Sequence, residues 1–248
     1  MGNKMHEWAA VWREAANYLQ LVRCEVIKST ACAAIIESRF RLSKIESQLT
    51  LTYSIFPQGE VKIDYHFTPG KMQLPDIPRV GMTLRMPQEF QYMCWYGCGP
   101  HDSYWDRKSG AAVGQYCGSV WGQSYLYPRP QETGNKADIR WMSVVNSEGA
   151  GLKVAAVDEL LSASVWQFSQ EDLDFKLKTG SSASGLVPNV SKHSYDVSPR
   201  DFTTWNIDLL QMGVGGDDSW GAPVHEEYRI KPGEFRYSFI IKGVSLFK

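Results

Sequence analysis

Leu49-Thr50-Leu51-Thr52-Tyr53-Ser54-Ile55, then Pro57-Gln58-Gly59, then Val61-Lys62-Ile63-Asp64-Tyr65-His66-Phe67 decide the fold class of this chain. Large apolar residues fall at every second position on both sides of the Pro-Gln-Gly turn, with Thr, Ser, Lys, Asp and His between them. Side chains point alternately to opposite faces of a strand, so this period of two describes a hairpin with one face in a core and one in water. His66 falls on the polar face, where a ligand role for it is not expected.

The same period recurs outward along the chain. Val22, Cys24 and Val26 alternate with charged residues, and Ala31–Ile36 with Phe40 continues as a second strand. Val80–Met86, Tyr92–Tyr96 and Ser164–Phe168 are further short strands. Ile139–Val145 and Leu152–Val157 form a hairpin about Asn146-Ser147-Glu148-Gly149. Trp205, Ile207 and Leu209 mark another strand, and Phe235, Tyr237, Phe239 and Ile241 close the sheet. The exceptions are a predicted helix of about four turns over His6–Gln20, with Trp8, Val11, Trp12, Ala15, Tyr18 and Leu19 at helical spacing, and a single turn over Ser169–Leu173 with Ser169 as its N-cap. Pro69–Pro78 and Trp121–Arg140 are connections, and the Gly- and Ser-rich Thr179–Pro188 is the best candidate for a mobile loop. Short, closely spaced strands with almost no helix predict an all-β sandwich. No repeat or linker divides residues 1–248, so a single domain is expected.

Composition excludes more than it selects. With 26 basic and 27 acidic residues the net charge is -1, which argues for neither nucleic acid nor an anionic membrane as partner. No run approaches the roughly 18 apolar residues of a membrane-spanning helix. The five cysteines, Cys24, Cys32, Cys94, Cys98 and Cys117, are odd in number and irregular in spacing, which reads as mostly buried thiols rather than a disulfide framework or zinc ribbon.

Met212-Gly213-Val214-Gly215-Gly216-Asp217-Asp218-Ser219-Trp220-Gly221 carries the chemistry. Gly213, Gly215 and Gly216 let the backbone take a positive φ or lie flat against a neighbour. Two carboxylates, a hydroxyl and an indole follow, the mixture of polar groups and apolar face that a sugar ring presents in mirror. The plainer alternative is a loop whose Asp residues cap turns and whose Trp plugs the core.

Gln211–Tyr228, read with Tyr96-Gly97-Cys98-Gly99-Pro100-His101-Asp102-Ser103-Tyr104-Trp105-Asp106-Arg107 and with Pro130-Gln131-Glu132-Thr133-Gly134-Asn135-Lys136-Ala137-Asp138-Ile139-Arg140-Trp141, closely resembles the C-terminal, small-chain domain of the bacterial β-galactosidases of glycoside hydrolase family two. The motifs stand in the family's order and spacing, and the similarity runs from about Asn3 to the last strand. The resemblance implies a galactose-mutarotase-like β-supersandwich lacking its first strands, as an excised piece or a small subunit. It also implies a galactoside-binding loop, with Trp220 lining the sugar site and Asp217, Asp218 and Ser219 beside it. From the residues themselves, His101, Asp102, Asp106 and Arg107 project from the first motif's corner, which reads either as a sugar-contacting or domain-docking loop or as an internally hydrogen-bonded one with Arg107 pairing a carboxylate. His101, Asp102, Arg107 and Glu132 are the candidates for supporting the neighbouring loops. Relatives commonly have Arg where Cys98 stands, which puts a charged contact from that position in doubt. The implied partners are the catalytic barrel domain or large subunit of the same enzyme and a β-galactoside, in an oligomeric full enzyme. The compartment, cytoplasm or periplasm, stays open.

Hydrolysis of a glycoside needs two carboxyl groups facing each other across the bond, roughly 5 to 9.5 Å apart. Asp217 and Asp218 are neighbours in a loop, and Glu226 and Glu227 would alternate faces on a strand, so neither pair is persuasive. The resemblance implies that both catalytic glutamates lie in the barrel, and this chain alone is expected to be inactive. Two further readings compete. An aldose epimerase would use His101, His193 or His225 with Glu132 as acid and base; a stand-alone carbohydrate-binding module would stack sugars on Trp220, Trp105 or Tyr104. No cofactor is expected, because two carboxylates stand where a phosphate loop needs bare amides. No required metal is expected either, since His225-Glu226-Glu227 lacks a second His at zinc-protease spacing.

Overall fold

The computed structural model describes residues 4–125, 127–128, 131–173, 175–177, 186–188, 196–218 and 221–245. Ser219, Trp220, most of the Thr179–Pro188 stretch and Lys192–Tyr195 lie outside the described residues. The chain opens with two short helices, α1 (Met5–Trp8) and α2 (Ala10–Ala15). The strands are β1 (Leu19–Ser29), β2 (Ala34–Leu42), β3 (Ser47–Ile55), β4 (Val61–Thr68), β5 (Arg79–Pro87), β6 (Tyr92–Gly99), β7 (Ala112–Ser119), β8 (Lys136–Ile139), β9 (Trp141–Val145), β10 (Ala150–Ala156), β11 (Leu161–Trp166), β12 (Phe175–Leu177), β13 (Leu186–Pro188), β14 (Phe202–Gln211) and β15 (Phe235–Ser245).

Among the described residues these strands form a nine-stranded antiparallel sheet in the order β1-β2-β3-β4-β15-β10-β9-β6-β7 and a four-stranded sheet in the order β5-β14-β11-β8. A small β12-β13 pair stands apart from both. The hairpin that decides the fold class is β3 and β4, in register from Gln48↔Thr68 to Ile55↔Val61. Gly59, at φ +82°, supplies the left-handed turn residue. Leu51, Ile63, Tyr65 and Phe67 are buried, whereas Thr50, Thr52, Asp64 and His66 share the polar face, where His66 Nε2 lies 2.7 Å from Glu234 Oε1. The last strand enters between β4 and β10, and its Tyr237 hydroxyl donates to the Ile207 carbonyl of β14 at 2.9 Å. That bond joins the two sheets across a core that holds Trp95, Met142, Trp205, Ile207 and Phe239, each at most 1% exposed. The architecture is an all-β sandwich.

Several expectations need correction. The helix ends early: Tyr18 is exposed and Leu19 already pairs with Leu42, because strand pairing to β2 supersedes the helical stripe. Its apolar face does pack on the core through Trp8, Val11, Trp12 and Ala15, and the Trp12 indole donates to the Pro75 carbonyl at 3.1 Å. The Ile139–Val145 run is two strands in different sheets, β8 and β9, separated at Arg140. Ala112–Ser119, too polar for the alternation to mark it, is the strand β7. The cysteines are not mostly buried thiols. Cys94 and Cys117 face each other across β6 and β7 in a disulfide, Cys24 and Cys32 are exposed, and only Cys98 is buried.

Candidate functional site

The three motifs converge where β6 and β14 end and β8 begins. Motif one and motif two are zipped together by Ser103 and Asn135. The Ser103 amide donates to the Asn135 carbonyl, the Asn135 side-chain amide donates to the Ser103 carbonyl, both at 2.8 Å, and the Ala137 amide donates to the Ser103 hydroxyl at 3.0 Å. Beyond Ser103 the chain closes a tight turn, with amides of Tyr104 and Arg107 donating to each other's carbonyls. That turn aims Asp106 at the third motif, where its Oδ2 accepts the Gly215 amide at 2.7 Å.

This contact explains the glycines. None of Gly213, Gly215 and Gly216 has a positive φ; close approach is what requires them. A Cβ on Gly213 would sit 2.7 Å from the Asp106 carboxylate carbon and 2.8 Å from Val224, and one on Gly215 would sit 3.0 Å from Asp106 Oδ2. On Gly216 it would meet the Ala222 carbonyl oxygen at 2.7 Å.

The acidic pair in the loop diverges. Asp217 is exposed and lies 2.7 Å from His225 Nε2, a hydrogen bond that raises the imidazole pKa. Asp218 Oδ1 accepts the amides of Gly221 and Ala222 at 3.0 and 3.2 Å, the turn-capping role of the plainer reading. Trp220 and Ser219 lie outside the described residues. Glu226 and Glu227 lie in a helical turn rather than on a strand, and both are exposed.

The supporting residues fall into two groups. Asp102 Oδ2 accepts the Tyr127 hydroxyl at 2.9 Å and lies 3.5 Å from Arg107 Nη2, which also donates to Tyr127 at 2.9 Å. Arg107 therefore pairs a carboxylate, as expected, and stacks over Tyr104 at 5.1 Å. His101 is exposed on the outside of the corner. Glu132 turns inward, where its Oε2 accepts Arg79 Nη2 at 2.9 Å, while Arg79 Nε lies 3.3 Å from Asp208 Oδ2. Burial raises the pKa of Glu132 against the pull of Arg79. Burial also pushes Asp208 up to about 7, opposed by Arg79 and reinforced by Glu132. Lys136, wholly buried with its ammonium 4.9 Å from the Trp95 ring centre, is pushed down to about 8 by burial, with Asp102 acting the other way.

Arg79, Asp208 and Lys136 were absent from the expected site, and Asp106 was placed only among the residues projecting from the first motif's corner. Asp106 stood inside a quoted motif and Lys136 inside another, but Arg79 and Asp208 join the cluster only through the fold. Tyr104 is 1% exposed, so it cannot serve as a sugar platform. Glu132 is held by Arg79 and His225 by Asp217, so the epimerase set is not brought together among the described residues; His193 lies outside them. The buried Cys98 thiol donates to Asp138 Oδ2 at 3.7 Å, and the same carboxylate receives the Lys108 ammonium at 2.7 Å. Among the described residues no group of three or more His, Cys, Asp and Glu side chains has metal-holding geometry.

Two packed antiparallel sheets, with the three motifs gathered at one end, define a β-sandwich domain. The chain belongs to the beta-galactosidase small chain family, whose model matches residues 2–241. It is 34% identical over 232 residues to a beta-galactosidase of Priestia megaterium, covering 93% of this chain and 20% of that protein. A beta-galactosidase of Lactobacillus delbrueckii subsp. bulgaricus is 31% identical over 222 residues, 88% of this chain and 20% of its own length. The chain thus spans about a fifth of the curated relatives it matches. Among solved structures, the alpha-galactosidase of Lactobacillus brevis overlaps 92% of this chain and 26% of its own at TM-score 0.45 and 14% identity. The galactose 1-epimerase of Lactobacillus acidophilus NCFM overlaps 92% and 66% at TM-score 0.43 and 7% identity. These overlaps are loose, and the architecture rests on the sheets themselves.

Proposed function

We propose that this chain is the part of a β-galactosidase that completes the galactoside-binding site of a separate catalytic barrel, and that terminal β-galactosides are hydrolysed only in the assembled enzyme. The observation that carries this is the Asp106–Gly215 bond, which fixes the loop leading to Trp220 onto a motif that is itself zipped to the second. A loop so anchored can present an indole as a rigid apolar face, which stacks on a sugar and excludes water. Asp217 and Asp218 then shape the loop and its rim through His225 and the Gly221 and Ala222 amides. The two diverge rather than face each other, which agrees with assigning the acid and nucleophile to the barrel. No cofactor or metal is assigned to this domain in the proposal.

The test is Trp220→Ala in the assembled enzyme. Loss of a stacking platform raises KM with a smaller change in kcat, because such binding is felt in ground and transition states alike. An unchanged KM would remove the proposed role.

A further inference from the structure

β1 is an edge of the nine-stranded sheet, paired with β2 on one side and, among the described residues, with no strand on the other. Natural edges are blunted with charges, prolines or bulges. Here register shifts leave Val22 and Ile27 without partners in β2, yet these are aliphatic. Leu21, Val22, Val26 and Ile27 are 60, 67, 62 and 50% exposed. The edge has bulges at Val22 and Ile27 and the charges of Arg23, Glu25 and Lys28, but its four exposed aliphatic side chains still leave it a template for another strand.

The charges specify which strand. Within the hairpin Arg23 faces Arg39 and Glu25 faces Glu37, like against like, an arrangement that destabilises a strand pair. Among the described residues each finds its opposite along its own strand, Arg23 with Glu25 and Arg39 with Glu37. Laid antiparallel against itself about Cys24, β1 reverses this: Arg23 of each copy opposes Glu25 of the other, Val22 opposes Val26, and Leu21 opposes Ile27. Moving the two-fold axis to residue 23 or 25 sets Arg against Arg or Glu against Glu.

We infer that β1 pairs antiparallel with β1 of a second copy of this chain about a two-fold axis at Cys24, joining two large sheets edge to edge. A two-fold contact of this type closes and does not propagate. It also sets exposed Cys24 opposite its own copy. Directly opposed residues on antiparallel strands have Cα atoms about 4.5 to 5.5 Å apart, within disulfide reach. The chain already holds one such cross-strand pair, Cys94 opposite Cys117.

Light scattering on the full chain over a concentration series in reductant reads this contact directly, and a concentration-dependent dimer is expected. Glu25→Arg sets like charge against Arg23 and weakens the dimer at least tenfold, whereas Arg23→Glu combined with Glu25→Arg restores it. Brief diamide oxidation gives a covalent dimer that Cys24→Ser abolishes and Cys32→Ser leaves intact. A chain that stays monomeric throughout overturns the inference, as does a dimer indifferent to Glu25→Arg. A monomer whose β1 amides gain exchange protection only when the barrel-containing remainder of the enzyme is added assigns the edge to that partner and equally overturns it.

Discussion

The Asp106 carboxylate accepts the amide hydrogen of Gly215 across 2.7 Å, joining residues 109 positions apart. Through this bond a turn built by the first motif sets the height and path of the third. It also converts glycine from a choice into a requirement, since the carboxylate occupies the space a side chain would need.

Substituting Gly213→Ala forces a methyl group to within 2.7 Å of that carboxylate and 2.8 Å of Val224. Overpacking of this kind typically costs about 1 to 3 kcal/mol. Urea denaturation of the isolated chain should show a lower midpoint with an unchanged slope. Asp106→Ala, which removes the anchor without crowding, should have a smaller effect on stability and a larger one on KM of the assembled enzyme.

Arg79 holds both Glu132 and Asp208, so its removal leaves two largely buried carboxylates without their cation. Breaking a buried ion pair from one side costs roughly 3 to 5 kcal/mol, whereas replacing the partners together costs much less. Arg79→Met should therefore be strongly destabilising, and Arg79→Met with Asp208→Leu milder than the single change suggests. A double-mutant cycle by denaturation measures the coupling.

Asp208 and Lys136 should contribute opposite slopes to the pH dependence of stability on the two sides of neutral. Asp208 is raised in the fold to about 7, so the folded state binds the extra proton and stability falls as pH rises from about 4 to about 7. Lys136 is lowered to about 8, so the unfolded state binds the extra proton above that pH and stability rises from about 8 to about 10.5. Asp208→Asn should flatten the acidic limb and Lys136→Met the alkaline one, as read by thermal unfolding across pH.

How much of this was legible beforehand follows from where the signals live. The β3–β4 hairpin and β15 carry period-two patterns that burial on one face imposes, so the sequence alone places them. β7 escapes because Gly114, Gln115 and Gly118 leave little alternation at a sheet edge. Asp106 and Asn135 stood inside motifs, but nothing local tells which way a carboxylate on a turn will face. Arg79 and Asp208 had no signal at all: one opens β5 and the other flanks a register shift in β14, and their meeting with Glu132 depends on how β5, β14 and the second motif come together. Trp220 rests on resemblance throughout.

The cysteine arrangement gives a simple check. Cys24 and Cys32 should react with a thiol reagent in the native chain, Cys98 only on unfolding, and Cys94 and Cys117 only after reduction as well. Closing a loop of 23 residues, the disulfide stabilises the fold by about 3 kcal/mol on the chain-entropy account, which unfolding with and without reductant measures.

The central claim is that this domain supplies binding and a separate barrel supplies chemistry. Hydrolysis of a chromogenic β-galactoside, measured for this chain alone and then after mixing with the barrel-containing remainder of the enzyme, tests it most directly. The account predicts no turnover by the chain alone and turnover on mixing, with a KM that rises in Trp220→Ala. Turnover by the isolated chain would contradict it and place the acid and nucleophile among its own carboxylates.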